Sequence, residues 1–213
     1  MLKSTKTAEK ASSKLGSVLK FIPIDPNAIT LLSVILAIMA LGIVVLDQGF
    51  ETIVASFILF IFAFFFDAVD GAVARAKNLV SIKGGFYDGI ADRVVEFCLI
   101  ATLILIYLKI SGAYLLSYNM VLVLVSILFF GTCMTSFVKA YSEHQGILKN
   151  EEAKKLPGFL ERAERSVLLL LAFLMLILGK MQFAEWDLYL VAALSILTFL
   201  QRFVLVANFK QKN

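Results

Sequence analysis

Four aspartates, Asp67, Asp70, Asp88 and Asp92, fall within 26 residues of an otherwise apolar stretch, FFFDAVDGAVARAKNLVSIKGGFYDGIADRVVEF, at positions 64–97. At the centre of a membrane helix each aspartate costs about 2.5–3.5 kcal/mol, so four together need something that offsets the cost. Successive helical residues are about 100° apart, so residues three, four and seven apart share a face. Asp67, Asp70, Gly71 and Ala74 have that spacing, and Asp88 and Asp92 share a face of the next helix. The short connection makes the two helices antiparallel neighbours. Carboxylates that converge in low dielectric cannot all stay ionised unpaired. A hard divalent cation such as Mg²⁺ takes oxygen ligands together with substrate phosphate oxygens. Two such ions clamp a diphosphate and stabilise charge on its leaving group. Gly71 and Ala74 leave room for a substrate to approach the backbone, and Arg75 is placed to grip phosphate in bidentate fashion.

Two other readings compete. Single aspartates near a membrane surface cap helices or pair with nearby cations, here Arg75, Lys77, Lys83 and Arg93. That explains one aspartate better than four at this spacing. A cation-coupled transporter also uses intramembrane carboxylates, but gives no reason for the small residues beside them or for Arg75.

The elements that must position these residues are apolar. Of 213 residues, 60% are hydrophobic, against about 45–50% in soluble domains. A soluble fold of this size cannot hide that much apolar surface. The runs are continuous rather than alternating, which predicts membrane helices and not a barrel. We expect an all-α membrane protein, a single domain over 1–213, with six spans near 27–46, 52–75, 85–108, 112–141, 162–180 and 187–208. Residues 1–22 form a juxtamembrane segment ahead of that bundle. Within it, lysines at 3, 6, 10, 14 and 20 alternate with small residues, and Leu15, Val18, Leu19 and Phe21 give an amphipathic pattern over 5–20, read as a helix on the membrane surface. No apolar core with a cleavage site precedes it, so a cleaved leader is not expected.

Seventeen Lys and Arg residues lie in the N-terminal segment, the connections 75–84 and 139–165, and the C-terminal end, while Lys109 and Lys180 alone lie in the alternate connections. By the positive-inside rule both termini and the aspartates face the cytoplasm of an integral cell-membrane protein. Cys98 and Cys133 read as small hydrophobes. The single His144 argues against zinc. The net charge of +4 is unevenly spread, and no nucleic-acid partner is expected.

The pattern Asp67-x-x-Asp70-Gly71-x-x-Ala74-Arg75-(eight residues)-Gly84-x-x-x-Asp88-x-x-x-Asp92 resembles the signature of the CDP-alcohol phosphatidyltransferases, with eight fixed positions in 26 residues. The resemblance implies a homodimeric membrane enzyme that depends on Mg²⁺ or Mn²⁺, with two ions held by Asp67, Asp70 and Asp88. Asp92 would activate the acceptor hydroxyl and also touch a metal, and Gly71, Ala74 and Arg75 would lie along the CMP portion. The donor implied is CDP-diacylglycerol or CDP-archaeol, its tails left among membrane lipids. Asn27 and Thr30, in DPNAIT, lie at the same membrane side. They are candidate diphosphate contacts, although a plain helix start is the preferred reading.

The signature does not name the acceptor. Only five of the twenty basic residues are arginines, Arg75, Arg93, Arg162, Arg165 and Arg202, and arginine serves geometric recognition of phosphate where lysine serves charge. Arg162 and Arg165 share a helix face, though each could pair with Glu161 or Glu164 or with lipid headgroups. Arg202 lies eight residues before Lys210, about 12 Å deeper in a helix, where it either snorkels or lines a pocket. Lys139 is either ordinary flanking charge or part of the same group. Together the four suit an acceptor that already carries a phosphate. The segments VKA, ERAER and QR resemble the phosphatidylinositol-phosphate synthase branch, which includes archaetidylinositol-phosphate synthases. That resemblance implies inositol 1-phosphate as acceptor, its phosphate held by Lys139, Arg162, Arg165 and Arg202. Glycerol 3-phosphate is the rival.

Overall fold

The computed structural model describes residues 25–110 and 115–209. The amphipathic segment over 5–20 lies outside them. All regular structure among the described residues is helical, as the continuous apolar runs predict. The chain divides between Thr102 and Leu103 into two compact units.

In the first unit, α1 (Pro26–Leu46) and α2 (Phe50–Ala76) are joined by a tight connection. Asp25 caps α1 by accepting the Asn27 N–H at 3.0 Å, and Pro26 occupies the first turn, where its missing N–H costs nothing. Asp47 closes the connection by accepting the Gly49 N–H at 3.1 Å and the Thr52 hydroxyl. The buried stripe of α1 is Pro26, Ile29, Thr30, Ser33, Ala37, Ala40 and Val44, mostly small residues at helical spacing. Opposite it, Ser56 of α2 donates to the Ala40 carbonyl at 2.8 Å. Lipid tails are as apolar as leucine, so helices in a membrane associate through close backbone approach and such polar contacts. Ile29, Val69 and Val73 pack together with Phe66 at the end of this seam that lies beside the aspartates.

α2 stops just past Arg75 by a defined device. Asn78 takes a left-handed φ of 55°. The Leu79 N–H then reaches the Ala74 carbonyl at 2.9 Å and the Asn78 N–H the Arg75 carbonyl at 3.2 Å, a Schellman cap. The same pattern ends two later helices with Gly146 and Gly179 in the left-handed position. Ser81 then opens α3 (Ile82–Ile110) by accepting the Gly84 N–H at 3.0 Å.

The second unit contains the end of α3, α4 (Leu115–Ser126), a π-helical segment Ile127–Met134, α5 (Thr135–His144), α6 (Asn150–Lys154), α7 (Arg162–Ile177) and α8 (Met181–Ala207). Its interior changes character along the helices. The buried stripe of α8 runs Ala184, Leu188, Val191 and Ala192, then Ser195, Thr198 and Arg202. In α7 it begins with Arg165 and Ser166 before Leu169, Ala172, Phe173 and Leu176. Gly131, in the π-helical segment, lies against Ser195 and the aliphatic stem of Arg165. A Cβ there would meet Ser195 Oγ at 2.9 Å and Arg165 Cδ at 3.1 Å.

Four helical stretches among the described residues are long and apolar enough to cross a membrane, Pro26–Leu46, Phe50–Ala76, Asn119–His144 and Met181–Ala207. They coincide with four of the six expected spans. The other two are real helices that fall short on different grounds. α7 has 16 residues, about 24 Å at 1.5 Å per residue, against a hydrocarbon core of about 30 Å. α3 carries Lys83, Asp88, Asp92, Arg93 and Glu96 in its first half, which confines its apolar run to the second. The stretch expected as one span over 112–141 includes the π-helical segment, whose flanking residues Ser126 and Thr135 are helical, so the helix runs on through it.

The Asn78 cap gives a first test. Alanine in the left-handed region is destabilised by roughly 1–2 kcal/mol, and asparagine by less. Asn78→Ala should lower the thermal unfolding midpoint in detergent, and Asn78→Gly should leave it unchanged or raise it.

Candidate active site

The aspartates are placed by the end of α2 and the start of α3, two elements of one unit. Asp67 sits about three turns before the Asn78 cap, while Asp88 and Asp92 follow the Ser81 cap by about two and three turns. The cap therefore turns the chain back so that the carboxylates meet. Asp67, Asp88 and Asp92 each bring an oxygen within 4.8 Å of the others, a triad found among the described residues. Asp92 is 9% exposed. One of its oxygens, Oδ2, lies 3.3 Å from Arg93 Nη1, which also donates to the Gly89 carbonyl at 2.7 Å.

The spacing predicted four converging carboxylates. Asp70, which lines one cavity with Asp88, also takes a partner from α1: the Thr30 hydroxyl donates to Asp70 Oδ2 at 2.5 Å. At 4% exposure, a carboxylate without a donor would carry the full desolvation cost, and a charge-assisted bond to a hydroxyl offsets part of it. Thr30 Oγ1 also lies 3.2 Å from the Pro26 carbonyl, but its single proton is committed to the nearer oxygen. The helix-start reading of this segment is therefore incomplete. Asp25 and Pro26 do start the helix, and Thr30 supports an acidic side chain of the signature.

Beside Asp70 opens a cavity of about 260 Å³, lined by Asp25, Asn27, Thr30, Asp70, Gly71, Ala74, Arg75, Ser81, Gly84 and Asp88 among others. Gly71 and Gly84 sit close against neighbouring side chains. A Cβ on Gly71 would come within 3.3 Å of Arg75 Nη1, and one on Gly84 within 3.0 Å of Ser81 Oγ and 3.6 Å of Asn27 Oδ1. Arg75 thus folds back over Gly71 with its guanidinium at the cavity wall. Ser81, Gly85, Leu79 and Val80 line the cavity as well, and sequence reasoning passed over them. Their signal was the pair of caps between Arg75 and Gly84. Glu96, one turn beyond Asp92, is buried at 1% exposure.

The donor set is all oxygen, with three carboxylates close enough to share ions. That chemistry fits a hard divalent cation. Asp67, Asp88 and Asp92 are placed to hold it, and Asp70, lining the cavity beside Asp88, would add a fourth carboxylate.

Residues 24–197 match the CDP-alcohol phosphatidyltransferase family. The chain belongs to this family. It is an enzyme of that class, and the transporter reading is set aside. An archaetidylinositol phosphate synthase of Pyrococcus horikoshii is 31% identical over 189 residues, covering 89% of this chain and 87% of that protein. A bifunctional IPC transferase and DIPP synthase of Archaeoglobus fulgidus is 29% identical over 91% of this chain. This chain spans only 36% of that protein's length. The phosphatidylinositol phosphate synthase of Mycobacterium tuberculosis, crystallised with CDP-DAG bound, has the same fold, with a TM-score of 0.72 at 20% identity over 95% of this chain and 96% of that one. The same protein crystallised with manganese and citrate also gives 0.72. Family membership and the apolar helices together make this an integral membrane protein.

The basic residues belong to the second unit. Arg165 and Arg202 are each 4% exposed, and Arg162 and Lys139 are half-buried. Of the two sequence readings for Arg202, snorkelling is excluded by its burial. Its Nε donates to the Pro157 carbonyl at 3.2 Å, Nη1 to the Thr135 carbonyl at 3.3 Å and Nη2 to Glu161 Oε1 at 2.8 Å. Glu161 accepts from Arg202, and Glu164 accepts the Glu161 N–H at 3.2 Å.

The Thr30–Asp70 contact generates a test. Thr30→Val removes the donor while keeping the shape, and should destabilise the protein by roughly 1.5–3 kcal/mol. Thr30→Ser should recover most of the loss, both read as unfolding midpoints in detergent.

Proposed function

We propose that this protein transfers the phosphatidyl or archaetidyl group of a CDP-lipid, CDP-diacylglycerol or CDP-archaeol, to inositol 1-phosphate with release of CMP. The observation that carries the transfer is the cavity in which Asn27, Thr30, Asp70, Gly71, Ala74, Arg75 and Asp88 converge. Its small residues and its guanidinium suit a nucleotide diphosphate. The acceptor assignment is supported by Arg165 and Arg202, buried guanidiniums that suit an alcohol already bearing phosphate, and by relatives that carry inositol phosphate synthase names.

In this reading Asn27, Thr30, Gly71, Ala74 and Arg75 bind the CDP portion and orient its diphosphate. Asp92 accepts the proton of the acceptor hydroxyl as that oxygen bonds to the phosphorus attached to the lipid. The bond from that phosphorus to the CMP oxygen breaks, and CMP leaves. Divalent cations, two Mg²⁺ or Mn²⁺ held by Asp67, Asp70, Asp88 and Asp92, would neutralise charge on the diphosphate and the leaving group. Lys139, Arg162, Arg165 and Arg202 hold the acceptor's phosphate. The chain acts as one domain of six spans, α3 and α7 included, behind an N-terminal surface helix. The Lys and Arg distribution supports cytoplasmic termini and a cytoplasmic site, and the family supports a homodimer.

The decisive experiment measures CMP release by purified protein from one CDP-lipid offered inositol 1-phosphate, free inositol, serine and glycerol 3-phosphate. Inositol 1-phosphate should be preferred. Preference for glycerol 3-phosphate would reassign the acceptor within the family, and preference for a phosphate-free alcohol would remove the role given to the basic cluster. Asp67→Asn or Asp88→Asn should abolish turnover and weaken Mn²⁺ binding measured by calorimetry. Asp92→Asn should depress kcat far more than CDP-lipid affinity.

A further inference from the structure

Arg202 is gripped from three sides, and two features of that grip lie outside the family signature. The first is Glu161, whose carboxylate takes Nη2 at 2.8 Å while the side chain is 49% exposed against 5% for the arginine. The second is Gly158. A Cβ there would lie 2.7 Å from Thr198 Cγ2, 3.0 Å from Glu161 Oε1 and 3.1 Å from Arg202 Nη2. Its φ is not in the left-handed region, so the backbone at 158 would accept any residue. Only space requires glycine there.

These contacts fasten the strap Pro157–Glu161 to α8. Arg202 Nε holds the Pro157 carbonyl, and Thr198 Oγ1 accepts the Leu160 N–H at 3.0 Å. Glu161 is also the residue from which α7 starts, and its carbonyl takes the Arg165 N–H at 3.0 Å. One pair therefore fixes the plane of the Arg202 guanidinium and the first turn that carries Arg162 and Arg165. An arginine has five N–H donors, and three of those on Arg202 are spent on these protein acceptors. One N–H on each terminal nitrogen remains, in a fixed plane.

We propose that Glu161 and Gly158 are positioning residues for the acceptor's phosphate: Glu161 by anchoring Arg202 Nη2, and Gly158 by leaving the space in which that pair closes. The proposal rests on the reading of Arg202 as a phosphate ligand. Glu161 stays on the arginine while the two remaining N–H groups engage phosphate, so its carboxylate orients the site and does not compete for it.

The test uses full-length enzyme in detergent, with inositol 1-phosphate as substrate and inorganic phosphate as a competing probe. Glu161→Ala should raise the acceptor KM and the inorganic phosphate inhibition constant about tenfold, the worth of one charge-assisted bond at the lower end. The CDP-lipid KM and kcat should move by less than about twofold. Glu161→Gln, which keeps an oxygen acceptor for Nη2, should restore most of the affinity. Gly158→Ala removes no charge and should imitate Glu161→Ala. If Glu161→Ala fails to fold, the other two variants decide. A lower acceptor KM in Glu161→Ala or Glu161→Gln would overturn the proposal, because the carboxylate would then be a competitor. So would equal loss in kcat and both KM values, the mark of a purely structural role. Arg202→Gln separates the two levels. An unchanged acceptor KM in that variant removes the phosphate-ligand reading itself, whereas a raised KM there with Glu161→Ala at wild-type values removes only the positioning role.

Discussion

An ionised side chain inside an apolar helix bundle must find a partner or lose its charge, and this requirement organises both units of the protein. Asp70 is nearly inaccessible and meets the Thr30 hydroxyl at 2.5 Å. Arg202 is equally buried and is met by one carboxylate and two backbone carbonyls. Desolvating a charge costs several kcal/mol even after relaxation, so these contacts are conditions for folding as well as for chemistry. They explain why polar residues continue the buried stripes of α7 and α8 at one end of each helix.

The second constraint is closeness. Helices in lipid gain little from apolar burial against one another and depend on backbone approach. The α1–α2 seam of Ser33, Ala37, Ala40 and Ser56 achieves it, and Gly71, Gly84, Gly131 and Gly158 extend the same principle to sites where a Cβ would crowd a neighbouring side chain. At each of these glycines at least one of the neighbours is a polar side-chain atom. Three of them, Gly71, Gly131 and Gly158, let the side chain of an arginine sit against backbone.

The periodic features were legible in the sequence because they depend on residues three and four apart. The apolar runs and the spacings Asp67–Asp70 and Asp88–Asp92 belong to this class, and the structure carries each pair on one helix, α2 and α3. The turn between α2 and α3 was half legible. Its length was readable, but the left-handed Asn78 that sets its direction was not singled out. Four of the six expected spans are long and apolar enough by themselves, whereas α7 is short and α3 is charged in its first half.

The sequence by itself determined the helical class, the family signature and the identity of the carboxylates, because local spacing converts directly into a shared helix face. Only the tertiary structure decided which charges meet. Thr30 lies 40 residues from Asp70, and Glu161 lies 41 from Arg202, so no helical period relates them. The same holds for the π-helical segment at Gly131, set against Ser195 and Arg165 from helices far along the chain. A buried charge takes the nearest compatible partner in space, and separation along the chain does not record that distance.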